Sequence, residues 1–121
     1  MTTVILLFLL DRYSKTLAGV TFTPAPLVSP AVTVLVLLAL AVVWWGVAKG
    51  MVKLRQAALI TLGAASNLYD VVTSGRVIDY LPIWHYTTNF ADLMIVIGAI
   101  LSIIQIGQRF NEWTIQSAQR P

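Results

Sequence analysis

The sequence predicts an all-α membrane protein: a bundle of four transmembrane helices with both termini cytoplasmic and a reduced extracytoplasmic region. Three observations predict it. The chain is 58% hydrophobic, only 11% charged and has a mean hydropathy of +0.81, whereas soluble domains are about 45–50% apolar and about 25% charged. Its apolar residues fall into runs close to the roughly 20 residues that cross a bilayer. Its lysines and arginines gather on one side of those runs, as the positive-inside rule describes. At 121 residues, one integral domain over 1–121 is the natural count.

The first helix, about 3–22, is the weakest span, because Asp11, Arg12 and Lys15 interrupt it. Those charges, with no basic stretch ahead of the apolar run, argue for a retained helix and against a cleaved leader. Residues 21–30 hold Pro24, Pro26 and Pro30 and cannot be helical throughout. The second helix, 31–48, is the clearest span, with Thr33 its one polar residue. Residues 49–55, with Lys49, Gly50, Lys53 and Arg55, read as a short basic loop. The third helix, about 56–72, is apolar until Ser66, Asn67 and Asp70. Residues 73–88 make the longest connector, containing Gly75, Pro82 and the aromatics Tyr80, Trp84 and Tyr86. The fourth helix, 89–107, is followed by a tail with Arg109, Glu112 and Arg120.

Lys49, Lys53, Arg55, Arg109 and Arg120 mark the cytoplasmic side. The 73–88 connector then faces outward, and Asp79 and Asp92 sit at the outer membrane face. Trp84 and Tyr86 suit the outer aromatic belt; Trp44, Trp45 and Trp113 suit the inner one. The absence of cysteine excludes disulfides and thiolate chemistry, and a single histidine, His85, excludes a multi-histidine metal site. No metal or cofactor is expected. No basic cluster is dense enough for nucleic acid. His85, between Trp84 and Tyr86, reads as an interfacial loop residue without a role.

Four of the five acidic residues, Asp11, Asp70, Asp79 and Asp92, lie in or beside apolar segments. A carboxylate at the bilayer centre costs about 2.5–3.5 kcal/mol even on a lenient scale, so they need a reason. Gly63, Asn67 and Asp70 share one face of the third helix, either as a packing face with small neighbours or as part of a site. Asn89 and Asp92 read as an N-cap with an acid in the first turn, or as site residues. Asp11 and Lys15, spaced i and i+4 with the acid first, make a pair that neutralises itself. Taken together, two carboxylates held close share a proton. The ionised member can take a proton from water while the protonated member donates to a carbonyl oxygen, which hydrolyses an amide. Asn67 and Asn89, each three residues before an acid, are candidates to hold those carboxylates.

These residues resemble the bacterial lipoprotein signal peptidase (signal peptidase II) family, in a shortened member. Asp11-Arg12-Tyr13-Ser14-Lys15 is similar to its Asp-x-x-Ser/Thr-Lys pattern. Gly63-Ala64-Ala65-Ser66-Asn67-Leu68-Tyr69-Asp70 followed by Gly75-Arg76-Val77-Ile78-Asp79-Tyr80 resembles Gly-Ala-x-x-Asn-x-x-Asp-Arg…Gly-x-Val-x-Asp-Phe, and Asn89-Phe90-Ala91-Asp92 resembles Asn-x-Ala-Asp. The resemblance implies an aspartic endopeptidase of the cytoplasmic membrane that removes signal peptides from prolipoproteins carrying a diacylglyceryl cysteine. Its active site would face outward, with membrane lipids around a monomer. Asp79 and Asp92 match the catalytic pair. Asn67, Asp70, Asn89, Asp11 and Lys15 match supporting residues. The sequence departs from the pattern at Val71, where the family has arginine, with Arg76 a candidate replacement. It also departs in the short 21–30 segment, which has no asparagine. Two rivals remain: a non-catalytic lipopeptide-binding scaffold, and a small proton-coupled transporter using Asp11.

Overall fold

The structure is a computed structural model that describes residues 1–17 and 29–119. Its elements are α1 (Thr2–Leu17), α2 (Pro30–Ala48), α3 (Leu54–Ser74), β1 (Leu81–Ile83), β2 (Tyr86–Thr88) and α4 (Phe90–Ala118). Two helices, α2 and α4, are long and apolar enough to cross a membrane. The expected first helix is described as far as Leu17; residues 18–22, and 21–28 of the proline-bearing segment, lie outside the described residues.

The packing centres on α3 against α4, where glycines let the backbones meet. A Cβ at Gly63 would lie 2.5 Å from the Ala91 carbonyl oxygen, and one at Gly98 would lie 2.7 Å from Ile60. Close approach through small residues is how helices associate when lipid removes the hydrophobic drive between them. Gly63, Ala64 and Ser66 are buried as the sequence suggests, while Ala65 points away. α1 closes the other side through Val4, Leu7 and Phe8, packed with Ala58, Leu62 and Met94.

α2 starts with Pro30, whose missing N–H is an orphan in any first turn. It is apolar all round, and among its described residues only Gly46 is buried. Leu35, Leu38 and Val42 are each more than half exposed, a face that suits lipid better than water. It touches α3 through Trp44, whose indole N–H donates to the Thr61 hydroxyl at 3.1 Å.

Two features differ from the sequence-based expectation. The 73–88 connector carries a two-stranded hairpin, which an all-α chain does not include. After Gly75 ends α3 in the left-handed conformation (φ 74°), β1 and β2 pair antiparallel with Ile83 opposite Tyr86. The turn is Trp84-His85, with Trp84 at φ 54° and almost fully exposed. A bulky residue in that region is uncommon, and no glycine or asparagine signals the hairpin. The fourth helix does not stop near Gly107 but runs to Ala118. Hydropathy falls there, yet residues 108–118 contain no proline or glycine to break the helix.

Candidate active site

Two carboxylates are fully buried and paired with cations. Asp70, on α3, receives Arg12 at 2.6 Å on one oxygen and Lys15 at 2.6 Å on the other. Lys15 also lies 3.2 Å from Asp11, one turn before it on α1. Asp11 accepts from the Ser66 hydroxyl at 2.6 Å, the Tyr80 hydroxyl at 2.9 Å and the Ala91 N–H at 3.1 Å. Two acids and two bases thus balance, which buried ions require. Asp11 has no open face for exchanging a proton or a cargo.

The other two carboxylates are half-buried, and no cation pairs with either among the described residues. Asp92, in the first turn of α4, accepts from the Asn67 side-chain amide at 2.7 Å and the Thr88 hydroxyl at 3.0 Å. Asp79, on the connector before β1, accepts from the Asn89 side-chain amide at 2.6 Å. Asn89 is buried and serves two purposes. Its amide oxygen caps α4 by accepting from the Asp92 N–H at 2.8 Å, while its NH2 holds Asp79. One side chain therefore fixes Asp79 to the turn that carries Asp92.

Asn67 is oriented in the same way. Its oxygen accepts from Lys15 at 3.0 Å, and since an ammonium only donates, the amide NH2 must face Asp92. Burial pushes the Asp79 carboxyl above its ordinary value; the Asn89 hydrogen bond opposes this, and the Asp92 charge adds to it.

The structure brings together Asp79, Asp92, Asn67, Asn89, Asp70, Asp11 and Lys15. Arg76 stands apart from them, its backbone carbonyl accepting from the Ser74 hydroxyl at 3.0 Å. Arg12 fills the place opposite Asp70 instead, stacked 4.4 Å over the Tyr69 ring. The reason is geometric: Arg12 faces Asp70 across the α1–α3 interface, whereas Arg76 lies beyond the end of α3.

Sequence reasoning also passed over Ser66, Tyr80 and Thr88. Ser66 stands one turn before Asp70 on α3, so helical spacing pointed to it; Thr88, at the end of β2, had no such signal. Tyr80 stands where the family pattern has phenylalanine, and its hydroxyl donates to Asp11 and accepts from the Phe90 N–H at 3.2 Å. No group of histidine, cysteine or acidic residues among the described residues has metal-binding geometry. What the arrangement can do is acid–base chemistry between two carboxylates.

The chain resembles known proteins in the same region. The sequence pattern of the signal peptidase (SPase) II family matches residues 19–108, which takes in Asn67, Asp70, Asp79, Asn89 and Asp92 but not α1. A lipoprotein signal peptidase of Brucella ovis is 40% identical over 81 residues, 62% of this chain and 51% of that protein. That of Desulfitobacterium hafniense is 50% identical over 48 residues, 38% and 32% respectively. That of Dichelobacter nodosus is 47% identical over 53 residues, 39% and 34%. The chain thus spans between a third and a half of the length of these relatives. No solved structure matches it significantly. With three quarters of its length inside the family pattern, the chain belongs to the signal peptidase (SPase) II family.

Proposed function

We propose that the chain is a membrane aspartic endopeptidase that removes signal peptides from prolipoproteins bearing a diacylglyceryl cysteine. It would act as a monomer, as a single four-helix domain of the bacterial cytoplasmic membrane. Its termini would be cytoplasmic and its carboxylate pair at the extracytoplasmic face. The observation that carries this reading is the Asn89 side chain, which ties the Asp79 carboxylate to the backbone of Asp92. Neither acid is spent on an ion pair.

In this mechanism Asp79 holds the shared proton, consistent with the upward push from burial and from the Asp92 charge. Asp92 takes a proton from water as the water oxygen bonds to the scissile carbonyl carbon. Asp79 gives its proton to the carbonyl oxygen. The tetrahedral intermediate then collapses: the C–N bond breaks, the nitrogen leaves with the proton held by Asp92, and Asp79 recovers a proton from a hydroxyl of the intermediate. One water is consumed, and a carboxylic acid and an amine result. Arg12, Lys15, Asp11, Asp70 and Ser66 hold the frame.

The test is cleavage of a diacylglyceryl prolipoprotein by the purified chain in detergent, with Asp79→Asn and Asp92→Asn alongside. Each variant should lose cleavage while still folding. Retained turnover in either variant would end the dyad mechanism, and binding without turnover in the unsubstituted chain would favour a scaffold.

A further inference from the structure

A cleft of about 380 Å3 lies at the opposite end of the bundle from Asp79 and Asp92, between the starts of α1 and α3 and the middle of α4. Lys53 and Arg55, at the first turn of α3, stand at its mouth, and both are exposed. Leu7, Leu59 and Ile97 lie one helical turn further in. Leu7 is four residues after Thr3, Leu59 four after Arg55, and Ile97 four before Leu101. Charge at the mouth thus gives way to aliphatic wall inside. Ile97 and Leu101 are both partly exposed, so the cleft opens to the surroundings of the bundle. Gln56, the buried polar side chain in its lining, is engaged at both ends. Its oxygen accepts from the Lys53 N–H at 3.0 Å, and its NH2 donates to the Leu101 carbonyl at 3.1 Å.

We infer that this cleft holds an anionic phospholipid of the adjacent leaflet, its phosphate on Lys53 and Arg55 and part of an acyl chain against Leu7, Leu59 and Ile97. Charge selects the guest. No acidic residue lines the cleft, and neither cation forms an ion pair among the described residues. Lys49 and Arg109 add positive charge at the same end, where Glu112 is the one acid. The N–H groups of Leu54 and Arg55, in the first turn of α3, have no hydrogen-bond partner among the described residues, and such groups favour phosphate. Size selects the guest too. An apolar cavity of about 150 Å3 takes a benzene-sized molecule, so this one has room for a chain segment that a free phosphate would leave unfilled. Basic clefts between membrane helices on the cytoplasmic side take acidic lipid headgroups, and this end faces that side in the orientation proposed above. The basic leading end of a signal peptide would be repelled by the same two cations. The inference rests on the chain being a membrane protein and does not depend on the endopeptidase reading.

The experiment uses the full chain in neutral detergent, titrated with phosphatidylglycerol, phosphatidylcholine, glycerol phosphate or poly-glutamate. Bound lipid is counted by mass spectrometry of the intact complex, and the melting temperature is followed alongside. Phosphatidylglycerol should be retained and should raise the melting temperature, with the other three far weaker. One cation near a membrane surface contributes about fivefold in affinity for acidic lipid, so Lys53→Gln or Arg55→Gln should weaken binding by about that factor and the two together by about 25-fold. Both residues are exposed, so without lipid these variants should melt like the unsubstituted chain. Lys49→Gln and Arg109→Gln, at the same end but outside the cleft lining, should leave the affinity unchanged. Ile97→Trp keeps both cations and fills the cleft, and it should also lose the lipid. Equal losses at Lys49, Lys53, Arg55 and Arg109 would reveal diffuse surface charge and overturn the site. Glycerol phosphate or poly-glutamate binding as tightly as the lipid would overturn it in favour of a free anion or an acidic protein segment.

Discussion

The acids of α1 and α3 and the acids around the start of α4 are linked through one asparagine, yet their surroundings are opposite. Asn67 accepts from Lys15, which neutralises Asp11 and Asp70, and donates to Asp92. On the first side every carboxylate is sealed and matched with a cation. On the second, Asp79 and Asp92 are half-exposed, held by neutral amides and a hydroxyl. Neutral donors aim a carboxylate without committing its charge, whereas a cation commits it. The first cluster suits a structural role, and the second is the one the proposed mechanism uses.

The sharpest way to break that division is to remove one charge from each side. Asp79→Asn or Asp92→Asn keeps size and shape but removes a proton carrier. General acid–base groups contribute about 10²–10⁴-fold each, so cleavage should fall by that much while the melting temperature in detergent scarcely changes. Asp70→Asn should do the reverse. It leaves Lys15 and Arg12 partly unpaired, and breaking a buried pair costs about 3–5 kcal/mol. Thermal unfolding of the two sets of variants checks this directly. An Asp70→Asn chain as stable as the unsubstituted one would mean that the buried cluster is not what holds α1 to α3.

The reactive side was largely legible in the sequence, and the sealed side only in part. Asp79, Asp92, Asn67 and Asn89 sit in short motifs where spacing carries the information. Which asparagine holds which acid was not legible, because the partners cross: Asn67 serves Asp92 from another helix, and Asn89 serves Asp79 ten residues back. Arg12 was visible only as a charge. Its partner, Asp70, is 58 residues away, and no local pattern specifies which face of α1 meets α3. The β1–β2 hairpin was hidden because its turn, Trp84-His85, carries neither of the residues that usually permit a positive φ. The extension of α4 was hidden because hydropathy marks where a bilayer would end, while a helix continues until something stops it.

The two clusters communicate only if α3 and α4 stay close, and Gly63 tests that. A methyl group at 63 would meet the Ala91 carbonyl oxygen at 2.5 Å, and backbone cannot step aside as a side-chain tip can. Gly63→Ala should therefore cost about 1–3 kcal/mol by overpacking. It should also lower cleavage, since it pushes Asn67 away from Asp92. A smaller effect comes from Tyr80→Phe, which removes one hydroxyl bridging Asp11 and the Phe90 N–H. The loss should be about 1 kcal/mol of stability. The fall should appear in kcat, with KM unchanged, because the bridge ties the connector that carries Asp79 to Asp11 and to the start of α4. Unaltered kcat would make Tyr80 a packing residue.

The smallest expected effect is a pH dependence of stability that arises at Asp79. Burial raises the Asp79 carboxyl above its ordinary 3.8, so over the window just above that value the folded chain binds more protons at this site than the unfolded chain. Stability contributed by this site therefore falls as pH rises through the window, the opposite of a carboxylate whose folded form is favoured ionised. Asp79→Asn removes the titration. The substituted chain should gain stability relative to the unsubstituted one as pH rises from 4 toward neutrality, in roughly the range where a raised carboxyl ionises. Chemical unfolding followed across that range reads the difference. A difference that does not grow with pH would mean that Asp79 ionises as freely folded as unfolded, and the proton assigned to it in catalysis would have to sit elsewhere in the pair.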